Sequence, residues 1–171
     1  MPEPIEKVIS HIPRLRRYAR ALVGDTNKAD DLVQDCLTRA LSRLGLWRAG
    51  SDMRAWLFTI MHNVYVNDFR KQQNKPPCLS LHDVVEQSQI GASPDEALKL
   101  SDLESILRSL PVNQLEVVLM IGLEGLSYQQ VAGILKIPVG TVMSRLHRGR
   151  NQLRGWLTDK TDLPSALRSV K

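Results

Sequence analysis

Apolar residues recur at intervals of three and four along most of this chain, the spacing that places them on one side of an α-helix. The first such run covers residues 6–23, and its shared side is formed by Val8, Ile12, Leu15, Ala19 and Leu22. No segment alternates apolar and polar residues as a half-buried strand does. The sequence therefore predicts an all-α protein.

Glycine and capping residues divide the first part of the chain into three predicted helices, over residues 6–23, 26–44 and 51–73. Gly24 and Gly45 follow the first two helices, where a glycine commonly ends a helix. Short loops between the three helices predict a compact bundle.

The composition changes after this bundle. Pro76 and Pro77 end the third helix, and residues 78–93 contain few bulky side chains, as is typical of a linker. Ser93 followed by Pro94 starts a further helix, because a capping residue and a first-turn proline favour a helix start. The sequence thus predicts two small helical domains, over 1–75 and 94–171, joined by a flexible linker over 76–93.

The charges are distributed unevenly. The net charge is +5 for the whole chain, +5 for residues 1–78, −6 for residues 79–125 and +6 for residues 126–171. Two basic ends separated by an acidic middle indicate two sites for one polyanion, such as a nucleic acid. An unevenly charged solvated surface is the alternative.

Residues 126–157 carry the most informative pattern. Ser127 caps a short helix over 128–135, residues 136–140 form a tight break, and a longer basic helix follows. This order is typical of a helix-turn-helix. At about 100° per residue, the long helix has a narrow apolar stripe of Val142, Leu146, Gly149 and Leu153. Its opposite side bears Met143, Ser144, His147, Arg148, Asn151 and Arg154. The polar residues of this set can donate to base edges and phosphates.

Several classes of protein are excluded by what the sequence lacks. No apolar run reaches the ~18 residues of a membrane span, and residues 1–24 lack the apolar block of a secretory signal. Cys36 and Cys78 are too few and too far apart for a disulfide scaffold. No metal-binding or phosphate-binding motif includes the scattered histidines, His11, His62, His82 and His147. We expect a cytoplasmic protein without a cofactor, a bound metal or enzyme activity.

Four stretches of this sequence resemble one family. Residues 126–132 (LSYQQVA) and 138–150 (PVGTVMSRLHRGR) resemble region four of bacterial RNA polymerase sigma factors of the extracytoplasmic-function (ECF) group. Residues 30–35 (DDLVQD) resemble the polymerase-binding helix of region two, and residues 56–63 (WLFTIMHN) resemble its promoter-opening helix. The resemblance covers nearly the whole chain, in the right order and with a linker of the right kind.

The resemblance implies a dissociable subunit of RNA polymerase that directs promoter-specific initiation and carries no catalytic chemistry. It implies contacts with the β′ clamp helices and the β flap of core polymerase, with promoter DNA and with an anti-sigma factor. The residues that it places against the clamp helices are Asp31, Gln34, Asp35 and Leu41. Acids at the start of a helix that merely favour its dipole are the alternative explanation for this cluster.

The same resemblance implies two DNA-reading surfaces. Region two captures the minus-ten element as a melted strand, with candidate residues Trp47, Arg48, Asn63, Arg70 and Lys71. Region four reads the minus-thirty-five element as duplex, with candidate residues Thr141, Met143, Ser144, Arg145, His147, Arg148 and Arg150. Met143 stands where the family often has a basic residue, so we expect a different preferred sequence at this position.

Two alternatives concern the region-two aromatic residues. Trp47 is either a base-capturing residue or a core residue between helices. A second stripe of the third helix is either a stacking platform for single-stranded DNA or packing against neighbouring helices, and it consists of Phe58, His62, Tyr65 and Phe69.

A stand-alone helix-turn-helix regulator is the main rival reading of the whole chain. It predicts a ligand pocket or a dimerisation helix within residues 1–75, where the sequence has a polar cluster and a basic, aromatic helix. A transcription assay with core polymerase separates the two, because a regulator confers no initiation.

Overall fold

The computed structural model describes residues 3–73 and 104–161, and every regular element within these ranges is helical. We call residues 3–73 the N-terminal half and residues 104–161 the C-terminal half. The linker predicted over 76–93, Cys78 and the helix start at Ser93 lie outside the described residues.

Three long helices form the N-terminal half: α1 (Pro4–Val23), α2 (Thr26–Ser42) and α3 (Met53–Gln73). Gly24 ends α1 in the left-handed conformation (φ 75°), which the sequence predicts from a glycine at this position. Asp25 caps α2 by accepting a hydrogen bond from the Lys28 amide. The second helix was predicted to reach Leu44, but it ends at Ser42 and a 3₁₀ turn, Leu44–Leu46, follows.

Four helical segments form the C-terminal half: α4 (104–108 within the described residues), α5 (Val112–Val118), α6 (Tyr128–Leu135) and α7 (Val139–Thr161). A π-helical turn, Leu119–Leu123, continues α5. Ser127 caps α6 as predicted, and a reciprocal bond from the Ser127 amide to the Gln130 side chain completes a capping box. Helices α6 and α7 are the predicted helix-turn-helix.

Helix α3 is buried on two sides, because it packs against its own bundle and against the C-terminal half. Its fully buried side chains are Leu57, Phe58, Met61 and Val64. Phe58 meets Tyr18 of α1 edge to face, with ring centroids 5.0 Å apart. This two-sided burial explains why apolar residues surround the helix instead of forming one stripe.

The two halves pack against each other in this structure, and polar groups concentrate where they meet. Arg17 of α1 donates hydrogen bonds to the Glu124 carboxylate (2.8 Å) and to the Leu123 carbonyl (3.1 Å). Arg54 of α3 donates to the Glu124 carbonyl (3.0 Å). The side chain of Glu124 is fully buried while that of Arg17 is 53% exposed. Two arginines of the N-terminal half therefore hold the end of the π-helical turn.

Further contacts join the same two halves. His62 Nδ1 lies 2.7 Å from a carboxylate oxygen of Glu116, and both side chains are largely buried. The Gln130 amide donates to Asp52 (2.6 Å). We call this set of cross-half contacts the junction, and we define it by Arg17, Arg54, His62, Glu116 and Glu124. The sequence predicts two tethered bodies and gives no sign that they contact each other.

Candidate nucleic-acid and polymerase surfaces

Helix α7 has the two faces that the sequence predicts. Val142, Leu146 and Gly149 are buried, and Leu153 is half-buried against the core. Exposed side chains cover the opposite side, namely Met143, Ser144, His147, Arg148, Asn151 and Arg154. One face is thus anchored and the other is open to solvent, which is the arrangement that a groove-reading helix needs.

Gly149 lets α7 lie close to α5. A Cβ atom at this position would stand 2.7 Å from Val118 Cγ2, well inside van der Waals contact. A valine side chain is stiff because it branches at Cβ, so it yields little to such a contact. The glycine therefore sets the distance between the basic helix and its support.

The remaining minus-thirty-five candidates lie beside the open face. Arg150 is exposed, whereas Arg145 and Thr141 are half-buried. His147 Nε2 lies 2.9 Å from the Asn151 amide nitrogen, a distance at which the amide donates to the ring. This bond fixes two potential base-reading groups one turn apart.

Tyr128 is a candidate that sequence reasoning missed. It is 38% exposed at the start of α6. With residues of α7 it lines a concavity of about 350 Å³, whose other walls include Met143, His147, Arg150, Asn151 and Arg154. Its place as the first residue of the helix-turn-helix is the signal that could have found it, because helix N-termini contact phosphates in such motifs.

The acidic residues of α2 form an open surface. Asp31, Gln34 and Asp35 are exposed, and Leu41 is 51% exposed two turns further along. Residues four apart lie on one face of a helix, so the two carboxylates are neighbours. An exposed leucine next to acidic and amide groups makes a surface suited to docking a protein.

The minus-ten candidates divide by burial. Asn63, Arg48, Arg70 and Lys71 are exposed. Trp47 is half-buried and packs against the core, and its Nε1 is buried without a hydrogen-bond partner among the described residues. Lys7 Nζ lies 5.2 Å from the centroid of the Trp47 ring. Trp47 thus has a structural role in this arrangement, and part of its surface remains open.

The aromatic stripe of α3 does not form a continuous platform. Phe58 is fully buried and His62 contacts Glu116, so both belong to packing. Only the C-terminal part of the stripe is left as a possible stacking surface. There Tyr65 and Phe69 stack with ring centroids 6.4 Å apart, and Phe69 is 45% exposed. Burial raises the pKa of the Tyr65 hydroxyl, with Glu116 adding to the effect.

Cys36 is a packing residue. It is completely buried, its thiol donates to the Leu57 carbonyl (3.7 Å), and burial raises its pKa to about 12. A thiol with so little thiolate is unreactive at neutral pH.

Comparison with known proteins identifies the family of this chain. Residues 8–62 match the family described as "Sigma2 domain of PhyR", and residues 100–153 match "Sigma-70, region 4". The chain is 33% identical to the ECF RNA polymerase sigma factor EcfG of Rhodopseudomonas palustris, over 89% of this chain and 83% of that protein. It belongs to the ECF RNA polymerase sigma factors. ECF sigma factor SigW of Bacillus subtilis is 28% identical over 81% of this chain and 80% of that protein.

The same family is found among solved structures. The sigma factor RpoE of Bartonella quintana, solved in complex with the anti-sigma factor NepR, has a TM-score of 0.75. It is 32% identical to this ECF sigma factor, and the match covers 90% of this chain and 95% of that one. The predicted all-α fold with sigma regions two and four is thereby confirmed, as is the sigma-factor function. Its relatives are transcription regulators rather than enzymes.

Neither a membrane-spanning helix nor a metal-holding cluster occurs among the described residues of this sigma factor. None of its helices within 3–73 and 104–161 is long and apolar enough to cross a membrane. Within the same ranges, no three residues among His, Cys, Asp and Glu are grouped so that they would hold a metal ion.

Proposed function

We propose that this sigma factor divides initiation among three surfaces: α7 for the minus-thirty-five duplex, the α2 acidic face for core polymerase, and the α3 region for the melted minus-ten strand. The observation that carries the proposal is α7, with one buried stripe and one open basic face. We further propose that region two spans residues 1–75, that the linker spans 76–93, and that region four spans 94–171. The family matches over 8–62 and 100–153 support these boundaries.

The minus-thirty-five role of α7 is supported by the chemistry of its open face. Arg148 offers a guanidinium, which pairs with two acceptors of guanine, and Ser144 and His147 offer further polar groups. Met143 is 49% exposed and has no donor, so it suits the methyl group of a thymine. Arg145 and Arg150 flank the apolar stripe of α7, where they can contact phosphates of the DNA backbone.

The polymerase role of α2 is supported by the exposure of all four candidates in the packed arrangement. Asp31, Gln34 and Asp35 present acceptors to basic groups of the clamp helices, and Leu41 adds apolar contact. Because α2 leaves these side chains open, polymerase reaches them without a change inside the N-terminal half.

The minus-ten role of the α3 region is supported by Asn63 and by the rim of Trp47. An amide offers both a donor and an acceptor to an extruded base, and an indole face offers stacking. Arg48 lies in the loop beside Trp47. Arg70 and Lys71 are exposed at the other end of α3, where they suit the phosphates of a displaced strand.

Promoter-specific transcription with purified core polymerase tests this division. Arg148→Ala is expected to lower promoter-specific transcripts about tenfold or more, because one bidentate base contact contributes ~1–3 kcal/mol, while core binding stays unchanged. Asp35→Arg is expected to weaken core binding and to spare duplex binding by the free protein. Matched controls on α1 remove or reverse a charge away from both surfaces: Arg14→Ala and Glu6→Arg, at two exposed positions.

Two results would contradict the division of labour. If Arg148→Ala abolishes core binding, α7 is not a dedicated DNA reader. If Asp35→Arg and Glu6→Arg behave alike, the α2 face has no specific polymerase contact. A chain that binds duplex but confers no initiation would be a stand-alone regulator.

We also infer that an anti-sigma factor controls this protein and that it works in the cytoplasm without catalysing a reaction. The support is the RpoE relative of Bartonella quintana, which was solved with its anti-sigma factor NepR. A pull-down from the native cell, followed by mass spectrometry, is expected to find a small regulatory protein besides polymerase. A pull-down that finds polymerase subunits alone contradicts this inference.

A further inference from the structure

The exposed face of α7 contains a side-chain hydrogen bond between two residues one helical turn apart. The Asn151 amide nitrogen lies 2.9 Å from His147 Nε2, and both side chains are exposed. Side chains of a helix tilt towards its N-terminus, so the asparagine leans towards the histidine. A bond between exposed side chains at this spacing stabilises a helix only slightly. Its larger consequence is for the chemistry of the imidazole ring.

The bond determines which nitrogen of the His147 ring carries the proton. An amide nitrogen only donates, so Nε2 is the acceptor and is unprotonated in the neutral ring. The proton of the neutral imidazole is then on Nδ1. Within residues 3–73 and 104–161, Nδ1 of His147 has no hydrogen-bond partner. Its N–H is therefore available to a ligand.

The pair lies in the concavity that α6 and α7 form beside the recognition face. Met143, His147 and Asn151 line this space of about 350 Å³. They are spaced four residues apart and therefore follow one another along one side of α7. Arg150 and Arg154 also line it and bring positive charge to the same space. The concavity thus combines a row of uncharged side chains with groups that attract a DNA backbone.

We propose that His147 donates from Nδ1 to atom N7 of a purine in the minus-thirty-five duplex, and that Asn151 is the positioning residue that holds the ring in this tautomer. Both purines expose N7 as an acceptor in the major groove, whereas cytosine exposes an amino donor. A ring with its proton on Nε2 would offer an unprotonated Nδ1, which cannot bond to N7 because both atoms are acceptors. The inference rests on the proposed role of α7 and names one of its contacts.

A phosphate contact is the competing role for His147. Phosphate oxygens accept hydrogen bonds whatever the sequence, so such a contact positions the protein without changing the preferred base. The neighbour of His147 in the row favours the base edge. Met143 is 49% exposed and has no donor for a phosphate, and it suits an apolar group in the groove. The row therefore faces bases, and the arginines beside it suit the backbone.

Nitrogen-15 NMR of the full chain tests the tautomer in the absence of DNA. At pH 8.5, where imidazole is neutral, the His147 ring is expected to carry its proton on Nδ1, with its signals assigned by their loss in His147→Ala. Asn151→Asp is expected to move the proton to Nε2, because a carboxylate accepts and does not donate. Gln152→Ala is the matched control at an exposed neighbouring position and is expected to leave the ring unchanged. A wild-type ring protonated on Nε2 overturns the proposal.

Selection from promoters with a randomised minus-thirty-five element tests the base contact, with the chain assembled on core polymerase. The wild type is expected to select a purine at the position that His147 reads. Replacing this purine by its 7-deaza analogue, which lacks the N7 acceptor, is expected to weaken binding about three- to tenfold, the range for one hydrogen bond. His147→Ala and Asn151→Asp are expected to abolish this 7-deaza effect and to leave the other positions unchanged, whereas Gln152→Ala retains it.

The outcomes separate this inference from the function on which it rests. Uniform weakening of all duplexes by His147→Ala would assign the ring to a phosphate and overturn the proposal. A 7-deaza effect that His147→Ala removes but Asn151→Asp retains would show that Asn151 does not position the ring. Selection that is lost in Arg148→Ala but unchanged in both other variants would keep the function of α7 and overturn this contact alone. A pool without any selected sequence would contradict both.

Discussion

One apolar core runs through both halves, but the junction between them also contains buried charged groups that the interior of the N-terminal half lacks. Within the N-terminal half, buried side chains such as Leu15, Leu57 and Val64 are apolar and fully enclosed. Across the junction, the buried groups include the carboxylates of Glu124 and Glu116, which contact Arg17 and His62 of the other half.

This difference indicates which part of the molecule opens more easily. Apolar packing loses its stabilising free energy wherever it opens, because nothing replaces the buried contacts. The polar contacts of the junction can be exchanged for hydrogen bonds with water or with a partner, so their net contribution to stability is smaller. We therefore expect the halves to stay folded under conditions that separate them.

The largest expected effect concerns the reactivity of the Cys36 thiol, which differs between the folded and the unfolded chain. Its pKa rises from 9.0 to about 12 in the fold, so at pH 8 its thiolate is about a thousandfold scarcer than in the unfolded chain. In a Cys78→Ser variant, a thiol reagent at pH 8 is expected to label the native protein roughly a hundredfold or more slower than the urea-unfolded protein, because Cys36 is both protonated and completely buried. Glu124→Gln is expected to leave the native rate unchanged, because it affects the junction and not this interior.

The same pKa shift gives a pH dependence of stability. The unfolded chain releases the thiol proton near pH 9 and the folded chain retains it until about pH 12. The contribution of this group to the free energy of unfolding is therefore complete below pH 9 and declines between pH 9 and 12. Denaturant titrations of the wild type and of Cys36→Ala over this range measure that slope, and equal slopes would contradict the assignment.

Leu57→Ala tests the interior directly. Leu57 is fully buried in α3, so its truncation is expected to lower the free energy of unfolding by about 2–5 kcal/mol. Denaturant titration of both proteins gives the value. Leu46→Ala is the matched control, because Leu46 is 78% exposed and its loss is expected to change stability by less than ~0.5 kcal/mol.

Glu124→Gln tests the junction. The change keeps the shape of the side chain and removes the charge that pairs with Arg17. Because Arg17 is half exposed, solvent screens this pair, and we expect a loss of about 1 kcal/mol in junction stability. Spin labels at the exposed positions Asn27 and Gln152 are expected to report a longer or broader distance distribution, while circular dichroism shows unchanged helix content.

Asp30→Asn is the control for that measurement, since Asp30 is an exposed acid away from the junction. A distance distribution that stays narrow in both variants would show that apolar contacts alone hold the halves together.

Tyr18→Phe is expected to have the smallest effect on stability, and it tests the interior of the N-terminal half. The Tyr18 hydroxyl is buried without a hydrogen-bond partner among the described residues, and burial raises its pKa well above the ordinary value. Removing the hydroxyl is expected to leave stability unchanged within ~0.5 kcal/mol or to raise it slightly, because an unpaired buried polar group is unfavourable. Phe58→Leu, which removes the edge-to-face pair, is expected to lower the free energy of unfolding by about 2 kcal/mol or less. Denaturant titrations measure both variants.

The sequence predicted the features that depend on neighbouring residues. The stripe of α7, the Ser127 cap and the Gly24 helix end each follow from residues within a turn or two of one another. Helical spacing and cap chemistry act over such distances, so they can be read before the fold is known.

The features that the sequence did not predict depend on contacts between distant residues. Arg17 and Glu124 are 107 positions apart, and nothing local indicates that they pair. The sequence does not decide whether Phe58 stacks on DNA or packs in the core, because its burial depends on how α3 contacts its neighbours. Tyr128 differs from these residues, because its place at the start of α6 was visible in the sequence and only the concavity that it lines depends on packing.

Gly24 joins two requirements in one position. It adopts the left-handed conformation at the end of α1, and a Cβ atom there would stand 2.6 Å from Nε of Arg108. The reversal of the chain relies on the missing methyl group, and the guanidinium of Arg108 occupies the space that a methyl group would take. Across relatives, we expect positions 24 and 108 to covary, with a larger residue at the first accompanied by a shorter one at the second.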